Sequence, residues 1–542
     1  MIRQTIRKLN LLLFAISVLL LCALSARAQS CEGLAKLANI MVTSATTVDG
    51  SHFVVPHGLE AAAQGLPDAF ERQAGAARLP NFCRVRLTLA PAIKVEVWLP
   101  TEGWNGDFEG VGNGGKAGSI SYPAMATALK GHFAAASTDT GHEGSEDDTK
   151  WAYHNPELVT DFSYLAIHEM TTASMKVIKA FYGKGPRYSY FDGCSTGGRQ
   201  GLMEAQRYPD DYNGIVSGAP VIDYTHLQVA HFWLALRAQK DPETYFPPDK
   251  LPAINRASVA ACDAIDGLKD GLIDDPRKCN FDLAVLRCKG ADSPSCLTTK
   301  QVQTLQDIYR GVYAEDGEEI YPGFMPGHET AWDFIEPADP SKPLSDDAGV
   351  GAVGFFKYFV FENPRWDFHT WSNEKDMPIV DKKLAAEING TNPNLRPFEA
   401  HGGKLILYHG WTDPGVSPLE TIQYYTQVTA AAGGDGRHPK HQTDLAPHPD
   451  AATQTTDFMR LFMIPGMDHC EGGPGPNMFD AFTLLTKWVE QGQAPERIVA
   501  SHYTNGKVDR TRPLCPYPRA SRYTGQGSTD DAANFVCRMP GK

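Results

Sequence analysis

An α/β fold, built on a doubly wound sheet and interrupted by a long insertion, is what this sequence predicts, and three observations predict it. Apolar strand-like runs alternate with amphipathic helical ones up to about residue 221, the beat then stops, and it resumes at about residue 401. A later run, Phe133 to Ser137, is apolar rather than alternating, as a strand covered on both faces is. The third observation is the stretch Tyr188 to Tyr208, YSYFDGCSTGGRQGLMEAQRY, in which a strand, a G-x-S-x-G turn and a helix follow one another. That is the local context a nucleophile elbow needs, with glycines removing the Cβ atoms that would collide around a cramped Ser195.

The chain opens with a basic start, Arg3, Arg7 and Lys8, then an apolar run from Leu11 to Leu24 and a small-residue signal, Ala26-Arg27-Ala28. The run is too short to span a bilayer, so residues 1–28 are expected to be a cleaved signal peptide. Losing Arg3, Arg7, Lys8 and Arg27 takes the formal charge from -14 to -18. A surface so acidic, with no basic stripe, repels phosphate backbones and excludes nucleic acid as a partner. Ten cysteines remain in the mature chain, an even number that in an exported protein argues for five disulfides. Spacing suggests the local pairs Cys262–Cys279, Cys288–Cys296 and Cys515–Cys537, and leaves Cys31, Cys83, Cys194 and Cys470 to pair over longer distances. No C-x-x-C or H-x-x-x-H cluster supports a zinc site.

From Gln29 to Phe82 the chain reads as irregular, with a short helix near Cys31. Arg84 to Leu89 and Ile93 to Leu99 alternate as strands do. Asp107 to Gly112 is a strand that runs out into Asn113-Gly114-Gly115-Lys116-Ala117-Gly118, a loop without the G-K-S/T ending of a phosphate cradle but suited to close approach of backbone to a developing oxyanion. Phe133 to Ser137 is another strand, Phe162 to Tyr182 a long helix, Gly201 to Arg207 the helix of the elbow, and Ile215 to Pro220 the next strand. Residues 222–400, rich in Pro, Asp, Trp and Phe, are expected to form an inserted lid between the two parts of a catalytic domain, 29–221 and 401–542. In the second part Lys404 to Tyr408 and Met459 to Ile464 read as strands, Glu420 to Ala431 and Met478 to Gln491 as helices, and Gly433 to Thr453 as a polar surface loop.

A serine hydroxyl needs a base to take its proton and an acid to orient that base. In an elbow fold these follow in the order serine, acid, histidine, each after a late strand. Asp413 follows Lys404 to Tyr408 and His469 follows Met459 to Ile464, so the expected triad is Ser195, Asp413 and His469. His409 and Asp468 are the nearest rivals; Asp468 directly precedes His469 and would struggle to reach its own neighbour's ring. Cys194 precedes the serine and Cys470 follows the histidine, so a bridge between them would staple the nucleophile's turn to the base's loop. In the insertion, Asp263, Asp266, Asp270, Asp274 and Asp275 alternate with Gly267 and Gly271. Hard oxygen ligands at this spacing suit calcium, although the terminal Glu of an EF-hand is missing.

Together these stretches resemble the tannase and feruloyl esterase family, which also contains bacterial mono(2-hydroxyethyl) terephthalate hydrolases. WNGDFEGVGNGG from Trp104, YFDGCSTGGRQGL from Tyr190, GGKLILYHGWTDP from Gly402, PGMDHCEGGPGP from Pro465 and RTRPLCPYPRASRYTGQGSTDDAANFVC from Arg510 carry the likeness, which spans essentially all of the mature chain. The resemblance implies an α/β-hydrolase core with an inserted lid, a secreted or periplasmic serine esterase acting on esters of aromatic acids, and no organic cofactor. It implies Ser195 as nucleophile, His469 as general base and then acid, Asp413 as its orienter, and the N–H groups of Thr196 and Gly115 as oxyanion donors. It implies the bridges Cys31–Cys83, Cys194–Cys470, Cys262–Cys279, Cys288–Cys296 and Cys515–Cys537. A structural calcium is implied at the side chains of Asp263, Asp266 and Asp270 and the carbonyls of Leu268 and Leu272. Phe355, Phe356 and Tyr358 of the lid, with Trp411 and Val416 of the core, are the expected substrate walls. The terephthalate hydrolases place a lid arginine where this chain has Gly354, and an aromatic residue where it has Val416. Hydroxycinnamate esters, free or polysaccharide-linked, are therefore favoured, with gallate esters next and terephthalate monoesters third. The alternative from another class is a catalytically dead, calcium-binding exported module, which a chromogenic aromatic ester would expose by releasing no product.

Overall fold

The computed structural model of the protein describes residues 29–56, 78–433 and 457–539. The expected signal peptide, 1–28, and most of the expected surface loop, from residue 434 on, lie outside the described residues. No helix among those described is long and apolar enough to cross a membrane.

Among the described residues nine strands form one sheet. They are β1 (Val42–Val48), β2 (Phe82–Leu89), β3 (Ile93–Pro100), β4 (Phe108–Val111), β5 (Ala134–Thr138), β6 (Ser189–Cys194), β7 (Gly214–Gly218), β10 (Lys404–Gly410) and β11 (Met459–Ile464), in the spatial order β1-β2-β3-β5-β4-β6-β7-β10-β11. From β5 to β11 every neighbouring pair is parallel, whereas β1, β2, β3 and β5 pair antiparallel. The sheet is therefore mixed, with the parallel half carrying the elbow. β1 corrects the reading of Gln29 to Phe82 as irregular. It is a half-exposed edge strand whose VTSATTV sequence lacks a clean apolar face.

Both faces of the parallel half are covered. Along β6, Phe191 packs into one core with Ile167, Met170 and Leu202, while its neighbour Tyr190 packs into another with Leu485 and Trp488. Ile215 against Val216, and Leu405 and Leu407 against Ile406, alternate in the same way. The helices Ala166–Tyr182 and Thr196–Arg207 thus lie on one face and Ala481–Gln491 on the other.

Between β7 and β10 none of the strands joins this sheet. β8 (Gly311–Tyr313) and β9 (Glu319–Pro322) form their own hairpin, beside the helices Tyr224–Lys240, Leu251–Cys262 and Thr299–Arg310. β10 pairs in parallel with β7, from Lys404 beside Gly214 to Tyr408 beside Gly218, so after the insertion the chain rejoins the sheet on the strand next to the one it left. After the last helix come two hairpins, β12 (Ile498–Thr504) with β13 (Lys507–Leu514) and β14 (Ala520–Tyr523) with β15 (Phe535–Arg538). All five expected bridges are present, Cys31–Cys83, Cys194–Cys470, Cys262–Cys279, Cys288–Cys296 and Cys515–Cys537.

Candidate active site

Ser195 stands between β6 and the helix Thr196–Arg207 with φ 62° and ψ -124°, a conformation that costs a non-glycine residue about 1–3 kcal/mol. Its N–H donates to Gly218 O at 3.0 Å, which ties the turn to β7. The turn is so tight that a Cβ on Gly193 would lie 2.7 Å from the Gly197 backbone. The helix begins at Thr196 rather than at Gly201. Thr196-Gly197-Gly198 are poor helix formers, but a Cβ on Gly198 would meet Gly218 O at 2.3 Å, so close packing selects glycine there.

Asp413, 1% exposed, lies just beyond β10. Its Oδ1 accepts from the N–H groups of Gly415 and Val416, both at 2.8 Å. Its Oδ2 accepts from His469 Nδ1 at 2.7 Å and from His409 Nε2 at 3.0 Å. Burial would raise this carboxyl, but the His469 charge and the hydrogen bonds from His409 and His469 outweigh it and hold the carboxyl well below the usual range. For His469 burial works downward, and the Asp413 charge and hydrogen bond, with smaller contributions from Asp333 and Glu146, raise it above its ordinary value. Nδ1 being engaged, Nε2 is the ring atom left for proton transfer. The Cys194–Cys470 bridge holds the two Cα atoms 6.0 Å apart, so Ser195 and His469 start from adjoining backbones.

The rivals have other tasks. His409 is fully buried. Its Nε2 lies within 3.1 Å of Val416 O and its Nδ1 is 2.7 Å from Thr421 Oγ1, so the ring donates through Nε2, accepts through Nδ1 and fixes Asp413 from behind. Asp468 is taken by His328 Nδ1, 2.8 and 2.9 Å from its two oxygens, and by Thr412 Oγ1 at 3.1 Å. His231, from the helix Tyr224–Lys240, donates through Nε2 to Gly415 O at 2.7 Å and so ties the insertion to the acid's loop. Sequence reading missed the roles of His409 and His231. His409 carried a signal in its position four residues before Asp413; His231 carried none.

Thr196 Oγ1 donates to Gly115 O at 2.6 Å, which brings together the two residues expected to supply oxyanion donors. Their loop is held by Asn113. Its N–H donates to Gln200 Oε1 at 3.0 Å, its Oδ1 accepts from Gln200 Nε2 at 3.0 Å, and its Nδ2 donates to Thr138 O at 2.9 Å.

The five residues expected as substrate walls are all buried. Phe355 and Phe356 are fully buried in the insertion's aromatic cluster, Phe356 with its ring centroid 4.6 Å from that of Trp371. Trp411 is 3% exposed, with the Arg277 guanidinium 5.0 Å from its ring centroid. Tyr358 donates its hydroxyl to Asp346 at 2.7 Å, and Val416 is buried beside Asp413. The aromatics pack on one another because that buries more apolar surface than facing a wet pocket, and as placed they offer a substrate little surface.

In the insertion, Asp263 Oδ1 accepts from the N–H groups of Asp270 and Gly271, each at 3.0 Å, and Asp266 Oδ1 accepts from Leu268 N–H at 3.0 Å. Gly267 and Gly271 take φ 95° and 85°, which lets the loop fold back on itself. Burial and the Asp266 charge push Asp274 up to about 7, although Arg522 approaches it, and Arg512 pairs with Asp270. Asp263 is buried and Asp266, Asp270 and Asp274 are half-buried, so oxygens of the kind calcium takes gather along this loop, but as placed no three of these carboxylates lie within 4.8 Å of one another.

The family described as tannase and feruloyl esterase matches residues 77–538. The chain belongs to the tannase and feruloyl esterase family. Two relatives extend the match. An uncharacterised esterase of Xanthomonas campestris is 38% identical over 565 residues, covering 97% of this chain and 93% of its own. A probable feruloyl esterase B-1 of Aspergillus oryzae is 32% identical over 84% of each chain. Among solved structures, feruloyl esterase B from Aspergillus oryzae superposes with a TM-score of 0.80 at 30% identity, over 94% of this chain and 99% of that one. Tannin acyl hydrolase from Aspergillus niger shares the fold, with a TM-score of 0.75 at 22% identity over 95% and 94%. The central sheet with helices on both faces is thus the family's α/β-hydrolase fold.

Proposed function

We propose that this family member is an exported serine esterase that cleaves esters of aromatic carboxylic acids, hydroxycinnamates foremost, through an acyl-enzyme. The observation that carries the reading is the hydrogen bond from His469 to the buried Asp413, tethered by the Cys194–Cys470 bridge to a serine held at φ 62°. Ser195 Oγ attacks the ester carbonyl while its proton passes to His469 Nε2. The oxyanion is received by the N–H groups of Thr196 and Gly115, and His469 returns the proton to the departing alcohol. Water then attacks the acyl-serine with its proton again taken by His469, the aromatic acid leaves, and Ser195 is reprotonated. Asp413 stays ionised throughout and stabilises the imidazolium that forms at each step.

The feruloyl reading is supported by the names of the relatives and by Gly354, which supplies no cation for a second carboxylate. Export is supported by the basic and apolar leader and by five bridges, which persist in oxidising compartments. A calcium ion held by the side chains of Asp263, Asp266 and Asp270 and the carbonyls of Leu268 and Leu272 would stiffen the loop that Cys262–Cys279 closes; it takes no part in the acyl transfer. The test is a rate panel of methyl ferulate, methyl gallate and mono(2-hydroxyethyl) terephthalate with wild type and Ser195→Ala. The expected result is the highest kcat/KM on the ferulate and no turnover by the variant. A preference for another ester overturns the substrate, and a fully active variant overturns the mechanism.

A further inference from the structure

Glu204 lies in the last turn of the helix Thr196–Arg207, about 13 Å along it from Ser195 at 1.5 Å per residue. It is 1% exposed, and its carboxylate oxygens meet no donor group, only the Asp211 carboxyl, with which they can bond only if one of the two acids holds a proton. A buried carboxylate without a donor is costly, and native structures rarely retain one without a reason. The groups it faces are themselves metal-ligating. One is His168, in the first turn of the helix Ala166–Tyr182, and the other is Asp211, in the loop leading to β7. One ligand atom from each of His168, Glu204 and Asp211 lies within 4.8 Å of the others. His168 Nδ1 is 2.6 Å from Asp211 Oδ2, and its ring is stacked on Tyr208 with centroids 3.8 Å apart, which fixes the direction in which Nδ1 points.

We propose that His168, Glu204 and Asp211 bind a first-row divalent transition cation, zinc by preference, which ties the far end of the elbow helix to the helix Ala166–Tyr182. One imidazole nitrogen and two carboxylates are a zinc donor set, whereas the loop of Asp263, Asp266 and Asp270 offers oxygen alone and suits calcium. Two carboxylates also match the charge of a divalent cation, and the ion supplies Glu204 with the partner it lacks. The side chains of His168 and Asp211 are 25% and 15% exposed, so the ion can enter from solvent and water can complete a tetrahedral shell. When the metal binds, His168 takes its Nε2–H tautomer, its Nδ1 lone pair goes to the ion, and Asp211 Oδ2 turns from the ring to the ion. The spacing of the three residues along the chain matches no metal motif, which is why sequence reading found no zinc site.

The competing account is a proton shared between Glu204 and Asp211, and one experiment separates the two. The mature chain is stripped with chelator, resaturated with calcium and titrated with Co2+, then with Zn2+. The expected result is one equivalent of Co2+ with a visible ligand-field absorption, displaced by Zn2+, and a rise of a few degrees in Tm at about a hundredfold excess of zinc over its Kd. Both signals should vanish in Glu204→Gln and in His168→Gln, whose side chain is partly exposed and whose loss the fold tolerates, and should persist in Asp266→Asn. Absence of both signals in the wild type overturns the proposal, as does uptake undiminished in the two variants, which marks ions held elsewhere on the surface. A wild type that takes up no cobalt, together with a metal-free Glu204→Gln of higher Tm than the metal-free wild type, would overturn the proposal and assign the pair to the shared proton.

Discussion

Removing the Cys194–Cys470 bridge, as Cys194→Ala with Cys470→Ala, should cost both stability and rate. The two cysteines are 276 residues apart, and loop-closure entropy for a span of that size is about 5 to 6 kcal/mol. The bridges Cys262–Cys279 and Cys288–Cys296 lie inside that loop and shorten it only slightly. Against a typical folding stability of about 5–15 kcal/mol the loss is large, so the variant should be handled at low temperature. Guanidinium unfolding of both proteins at fixed calcium, followed by tryptophan fluorescence, reads the first quantity. The second is kcat on methyl ferulate under conditions where the variant is still folded. Since a misplacement of about 1 Å between reacting groups can cost about 100-fold, kcat should fall by one to two orders of magnitude with KM little changed. A variant as stable as the wild type would refute the loop-entropy reasoning, and one that is destabilised but keeps its kcat would refute the positioning role.

Asp413→Asn should lower kcat by about 10⁴-fold, because the amide cannot hold the imidazole tautomer that leaves Nε2 as the base. Asp413 raises His469, so the acid limb of the wild-type kcat/KM profile should lie above the ordinary histidine value of 6.5, the ring being active only when neutral; in the variant that limb should move to lower pH, and an unmoved limb would contradict the assignment. His226 joins the insertion's first helix to Asp381 at 3.1 Å. Burial alone would lower it, but the charges of Asp223 and Asp381 push it up to about 10. A raised histidine stabilises fully below pH 6.5 and loses that contribution as pH climbs to about 10. His226→Gln should therefore be destabilised by about 1–3 kcal/mol in denaturant melts at pH 6, and the gap should close by pH 10. Asp266→Asn should lower Tm in calcium and abolish the Tm loss on chelation while leaving the initial rate at moderate temperature unchanged; a calcium response equal to wild type would move the ion elsewhere.

What could be read from sequence followed from how much local chemistry each element needs. β11 was legible to the residue because MRLFMI is apolar on both faces apart from Arg460, as a strand covered on both sides tends to be. That Asp413 would meet His469, and His469 the turn of Ser195, was legible because an elbow fold dictates chain order, and because two cysteines flank the serine and the histidine. β1 was not, since an edge strand half open to solvent carries no clean alternation. The short helix Tyr122–Lys130 was missed for a related reason. Its buried Met125, Ala126, Ala128 and Leu129 share one face, but 9 residues leave the helical period little length in which to show. The start of the elbow helix was misplaced because its glycines are chosen by the approach of Gly218 and Asn113 rather than by helix propensity. Lid aromatics such as Phe355 announce burial but not its direction, and only the fold shows them facing one another. His231 and His328 reach the site from the insertion, by contacts that span well over a hundred residues of sequence.

The central claim is that two distant segments meet in one hydrolytic centre whose nucleophile is Ser195. Reaction of the mature protein with a phosphonylating ester analogue, followed by peptide mass mapping, tests it most directly. A single adduct on Ser195, formed in step with complete loss of ferulate hydrolysis and suppressed in Asp413→Asn, is the predicted result. An adduct on another serine that tracks the loss of activity would contradict it.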